Sequence, residues 1–148
     1  MTPTLRGRWQ TRIALLGSLG VLITLGYMWL FGAFQLGPRH PAFYTLLALL
    51  GYVALAGMLW DVLYVYLQGF RWDRDWPLSF AFVGGIVEGV VIFALFRFNL
   101  LPSVTYHAGD WWRFLAHYGT IFWVTYWWLF GPMRIIHPRW RFNGGDLI

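Results

Sequence analysis

Leu78-Ser79-Phe80-Ala81-Phe82-Val83-Gly84-Gly85-Ile86-Val87-Glu88-Gly89-Val90-Val91-Ile92-Phe93-Ala94-Leu95-Phe96 is a run of nineteen residues with one charge, Glu88. Such a run is long and apolar enough to cross a bilayer as a helix, and Arg97 and Asn99, followed by Pro102, are expected to end it. Glu88 falls near its centre, where a charge costs at least ~2.5 to 3.5 kcal/mol. That carboxyl is therefore expected to be protonated, paired, or turned toward water inside a bundle.

Moving outward toward the N-terminus, Gln68-Gly69-Phe70-Arg71-Trp72-Asp73-Arg74-Asp75-Trp76-Pro77 is a compact polar connection, with Pro77 suited to the first turn of the following helix. Its mixed charges suit internal ion pairs or a docking surface, or simply keep the loop solvated. Before it lies a second apolar run, from about Phe43 to Leu67, whose one charge is Asp61. Beyond the short link Pro38-Arg39-His40-Pro41 is a first run, Ile13 to about Phe34, preceded by Arg6, Arg8 and Arg12. Its ~22 residues at ~1.5 Å rise match a ~30 Å hydrocarbon core. No small-residue cleavage site follows, so this run is expected to be retained. Toward the C-terminus a fourth run, Trp111 to about Phe130, carries Arg113 and His117 and stops at Gly131-Pro132. The basic tail 133–148 is expected to lie along the membrane surface or against a partner.

The expectation is thus an all-α, polytopic integral membrane protein forming one domain over residues 1–148. Its four transmembrane helices, about 13–34, 43–67, 78–96 and 111–130, form a bundle. The arginines orient it. The N-terminus, second loop and C-terminus hold eight, Arg6, Arg8, Arg12, Arg71, Arg74, Arg134, Arg139 and Arg141, whereas the other side holds Arg39, Arg97 and Arg113. By the positive-inside rule both termini are cytoplasmic and the chain is multi-pass in the cell membrane. Trp72, Trp76, Trp111, Trp112, Trp127, Trp128 and Trp140 fall near the predicted helix ends, as in aromatic belts.

Composition agrees. The chain is 59% hydrophobic, 22% aromatic and 11% charged, too little polar surface to clothe a soluble core of its 148 residues. All eleven basic residues are arginine, which points to a GC-rich, bacterial genome, and cysteine is absent. That absence excludes disulfides, thiolate metal sites and a cysteine nucleophile. The net charge of +5 suits topology and anionic headgroups; no nucleic-acid fold accompanies it.

Three residues that are acidic or histidine, Glu88, Asp61 and His117, fall inside the predicted spans. Glu88 sits in Gly84-Gly85-Ile86-Val87-Glu88-Gly89, where Gly85 and Gly89 make a small face for a closely approaching backbone. The structural reading is a packing seam with Glu88 as a neutral hydrogen-bonding acid; the functional one is a proton or cation site. Asp61 shares a stripe with Ala54, Gly57, Tyr64 and Gln68 that should point inward. It is either salt-bridged to Arg12, reached by water from the hairpin, or functional. His117, with Thr120 three residues on, is a structural histidine if alone. With Glu88 central and Asp61 toward the cytoplasm it would complete a staggered column of the kind that relays protons, with waters, Tyr64 or Thr24 bridging gaps of about 6 to 8 Å. Gly17, Gly20, Thr24 and Tyr27 form a second small face on the first helix, and one of these faces is expected to serve contact between molecules.

Of the four histidines only His117 is within a span; His40 and His107 are in outer loops and His137 lies past the last helix, which disfavours a bis-histidine haem. No nucleophile elbow, metal-binding helix motif or phosphate loop occurs. The expectation is a non-enzymatic accessory or scaffolding subunit without cofactor, self-associating or joined to a larger membrane complex. The alternative is an oligomeric proton-coupled transporter or channel using Glu88 with Asp61 and His117, and a weaker one is a haem-holding subunit.

Overall fold

The computed structural model describes residues 4–33, 37, 40–70 and 78–147, and these are helical apart from turns and loops. Four long helices follow one another: α1 (Leu5–Leu30), α2 (Thr45–Gln68), α3 (Leu78–Arg97) and α4 (Asp110–Phe130). A short α5 (Pro132–Ile136) and a 3₁₀ turn (Pro138–Arg141) lead into the C-terminal segment. Three of the helices, Leu5–Leu30, Thr45–Gln68 and Ser79–Arg97, are long and apolar enough to cross a membrane. α4 matches them in length but is less apolar, because its 21 residues include five tryptophans and two tyrosines, each with a polar atom, beside Asp110, Arg113 and His117.

The first helix begins at Leu5, eight residues before the expected Ile13. Thr4 caps it, its hydroxyl accepting from the Gly7 N–H at 3.1 Å. Arg8 and Arg12 are thus inside the helix rather than ahead of it, and both find polar partners in the bundle. α1 ends at Leu30, and Phe34 lies outside the described residues, as do Arg39 and the hairpin 71–77. The other boundaries fall within two residues of expectation. α3 closes on Asn99 in the left-handed region (φ 55°), with the Leu100 N–H reaching back to the Leu95 carbonyl at 2.9 Å.

α1 packs on α2, α2 on α3, α3 on α4, and α4 returns to α1, which gives a square of sequential neighbours. Residues 16–20 of α1 form one π-helical turn. From that turn onward α1 packs on both α2 and α4; before it, the helix lies on α2 and against the C-terminal segment. Threonine back-bonding supports the irregularity, since Thr24 Oγ1 donates to the Gly20 carbonyl at 2.7 Å.

The main core joins Leu16, Leu49, Leu50, Val53, Ile92, Phe96, Phe114 and Ile121. A second cluster, Leu15, Met133 and Trp140, seals the side where α1 and α4 diverge. Outward faces are apolar, with Trp29, Leu59 and Trp127 each about two-thirds exposed or more, a surface suited to lipid rather than water.

The tail differs from expectation. It folds onto α1 of its own chain, where Thr4 N–H donates to the Gly144 carbonyl (2.8 Å), Thr11 Oγ1 to Gly145 O (3.0 Å) and Leu147 N–H to Gln10 Oε1 (2.8 Å). Trp140 Nε1 donates to Thr11 Oγ1 at 2.8 Å. Gly7 makes this docking possible: a Cβ there would collide with the Gly144 carbonyl and lie 2.6 Å from Gly145 C. The two ends of the chain therefore meet at one end of the bundle.

Candidate functional site

Arg12 leaves α1 one turn before the π turn and inserts between α2 and α3. Its Nε and Nη2 donate to the two carboxylate oxygens of Asp61 at 2.9 and 3.2 Å, a two-pronged contact. Its Nη1 donates to Glu88, 3.2 Å from Oε1 and 3.4 Å from Oε2. A guanidinium has donors only, so both carboxyl groups act here as acceptors. Asp61 and Glu88 are 3% and 4% exposed, whereas the Arg12 side chain that joins them from a third helix keeps 21% of its surface exposed. Arg8, one turn earlier on α1, lies within electrostatic reach of Asp61 and contacts Gln68 Oε1 at 3.5 Å.

Glycine placement follows from this cluster. Gly57 precedes Asp61 by one turn, and a Cβ on it would strike the Arg12 guanidinium. On α3, a Cβ on Gly84 would strike the Tyr64 hydroxyl, one on Gly85 the Phe122 ring and one on Gly89 the Tyr118 ring. The small face at Gly85 and Gly89 thus accepts aromatic rings of α4 rather than a closely packed backbone. Tyr118 Oη donates to the Gly85 carbonyl at 2.6 Å and fixes that seam. Gly20 meets Leu50 Cδ1, which would lie 3.2 Å from an added Cβ, while Gly17 has nothing within 4 Å and faces outward.

His117 sits elsewhere. It is 2% exposed and its Nε2 lies 2.9 Å from Thr24 Oγ1. With the Thr24 proton directed to Gly20 O, the histidine is the donor in this contact. Beside it Tyr27 Oη is 2.8 Å from Thr120 Oγ1. Thr24 is twelve residues beyond Arg12, roughly 18 Å along α1. Asp61 and Glu88 therefore converge on one guanidinium instead of standing at separate heights, and His117 does not join them. The expected Arg12 to Asp61 bridge is present; the Glu88 arm of it was not anticipated.

Next to the cluster is a cavity of about 250 Å³. It extends along α1 from Gly7 to Leu16, some nine residues or ~14 Å, in the half of the bundle where α1 has left α4. Its walls include Arg12, Asp61 and Glu88 on one side and Tyr118, Phe122 and Tyr126 on the other. These rings belong to a ladder at four-residue spacing on α4, Phe114, Tyr118, Phe122, Tyr126 and Phe130. Phe114 and Tyr118 stack at 5.6 Å, Tyr118 and Phe122 at 6.4 Å. Their i, i+4 spacing is visible in the sequence and is the signal that reading for titratable groups passed over.

At the opposite end a second cavity of about 400 Å³ is lined by His40, His107, Asp110 and Arg113. Asp110 contacts both His107 Nδ1 (3.5 Å) and Arg113 Nη1 (3.3 Å). Among the described residues no three His, Asp or Glu side chains gather where they could hold a metal ion.

No family model matches the chain, and neither a curated protein nor a solved structure matches it.

Proposed function

We propose that this chain is a four-span integral membrane protein of the cell membrane with both termini cytoplasmic, acting as a non-enzymatic accessory or scaffolding subunit that self-associates or joins a larger membrane complex. The fourth crossing is supported by parity. Thr4 and Gly144 meet at one end of the bundle, which supports an even number of crossings, with α4 as the fourth beside the three apolar helices. Trp111 and Trp127 on α4 are sixteen residues apart, about 24 Å, a spacing that suits two headgroup belts. Arg6, Arg8, Arg134 and Arg139 lie toward the end where the termini meet and Arg97 and Arg113 toward the other, which supports the orientation even with the paired Arg12 removed from the count.

One observation carries the accessory role: a single guanidinium makes hydrogen bonds to both intramembrane carboxylates. These groups then act as a tie between α1, α2 and α3, and His117 as a tie between α1 and α4, so the titratable residues serve the architecture. The outward Gly17 face of α1 is left for a neighbour. Extraction of the full chain into native lipid discs and mass spectrometry of the assembly tests this. A homo-oligomer or a stoichiometric partner is expected; a monomer without companions overturns it.

The cavity beside Glu88 favours a second reading, an oligomeric proton-coupled transporter. In liposomes that reading requires pH-driven flux that Glu88→Gln abolishes in a folded protein, and flux unchanged by the substitution removes it.

A further inference from the structure

We propose that the cavity between α1, α3 and α4 holds one acyl chain of an anionic phospholipid, with the phosphate at Arg134 and Arg8. This inference rests on the membrane placement proposed above and not on the accessory role. The cavity exists because α1 parts from α4 at the π turn, and it is graded along its length. Arg8, Arg134 and Trp140 line the end near the chain termini, and Leu16, Val53 and Ile121 the deep end. Tyr118, Phe122, Tyr126 and Phe130 supply an aromatic wall between them. A basic mouth over a mostly apolar slot, whose one polar stretch is the paired Arg12, Asp61 and Glu88, is the shape of an amphiphile.

Charge selects its sign. The lining holds three arginines, Arg8, Arg12 and Arg134, against two carboxylates, Asp61 and Glu88, a sum of +1. Both carboxylates already accept from Arg12, so neither is open to an organic cation without breaking that contact. Among the described residues no carboxylate pairs with Arg134, which is exposed and rests on the Phe130 ring at 5.1 Å. An arginine poised at the mouth of an apolar slot is suited to a phosphate oxygen. On the proposed topology that mouth faces the leaflet rich in anionic headgroups.

The test uses the full chain, stripped of lipid in mild detergent and examined by native mass spectrometry. Phosphatidylglycerol, phosphatidylcholine of the same acyl composition, and oleate are titrated separately. One phosphatidylglycerol per chain is expected, bound at least about tenfold more tightly than phosphatidylcholine, the effect of about one charge-assisted contact. Arg134→Gln, at an exposed site, should erase that preference with an unchanged melting temperature. Ala81→Phe, which fills the cavity from α3, should abolish retention of either lipid with Arg134 intact. Equal binding of the two phospholipids, a preference that survives Arg134→Gln, or binding of oleate alone overturns the assignment. A chain that never inserts into lipid discs overturns the membrane placement together with it.

Discussion

Gly57 lacks a side chain where the Arg12 guanidinium passes: a Cβ on this glycine would occupy the position of the Arg12 head group on its way to Asp61. Gly57→Ala is therefore expected to dislodge the guanidinium and to lower stability in detergent by about 1 to 3 kcal/mol, the usual cost of overpacking. Gly51, on the same helix, has nothing within 4 Å, so Gly51→Ala should be neutral or stabilise by up to about 1 kcal/mol through helix propensity. Equal thermal shifts for the two variants would contradict the placement of Arg12.

Arg12→Met leaves two carboxylates buried without their common partner, and breaking a buried ion pair from one side costs about 3 to 5 kcal/mol. Replacing all three groups, Arg12→Met with Asp61→Leu and Glu88→Met, removes the stranded charges. Most of the loss should then be recovered, since apolar replacement of a complete buried cluster is often neutral. Unfolding of the single and triple variants in the same micelle measures the difference; a triple variant as unstable as the single one would mean that the three charges do not act as a unit.

Thr24 and His117 are expected to be coupled. A double-mutant cycle with Thr24→Val and His117→Phe should return an interaction of about 0.6 kcal/mol, the average for hydrogen bonds between membrane helices, and at most about 1.7. A value indistinguishable from zero would show that the 2.9 Å contact contributes nothing to holding α1 on α4.

Docking of the C-terminal segment is the most sensitive to a single methyl group. Gly7→Ala collides with backbone, which cannot swing aside as a side chain can, so the segment should detach as a unit. Limited proteolysis should then cut within residues 137–147 much faster than in the wild type, with α2, α3 and α4 still protected. Trp140→Ala, which empties a site only 4% exposed, should give the same pattern with a stability loss of about 3 kcal/mol.

Much of this architecture is legible in the sequence because lipid imposes a simple rule on helix length and charge. The runs around Asp61, Glu88 and His117 coincide with α2, α3 and α4 to within two residues. The start of α1 was hidden because a sequence window treats Arg8 and Arg12 as polar flanks, and only the tertiary fold supplies the partners of Arg12. The convergence of Asp61 and Glu88 was equally hidden, since the level at which two side chains meet depends on the offset between their helices. Helix rise along one chain cannot replace that offset, whereas the glycines opposite Arg12, Tyr118 and Phe122 mark it once the neighbours are known. The rings of α4 show the reverse case, a plain four-residue period in the sequence whose meaning appears only when Gly85 and Gly89 are seen to receive them.

The reach of Arg12 also bears on how such a chain is assembled. Its partners lie 49 and 76 residues downstream, and the segment that closes over Thr4 and Thr11 comes after all four helices. On the proposed membrane placement, and with insertion in order of synthesis, α1 enters the bilayer with an uncompensated cation and acquires its counter-charges only as α2 and then α3 arrive. α1 is then completed after the helices that follow it, once the segment over Thr4 and Thr11 has closed.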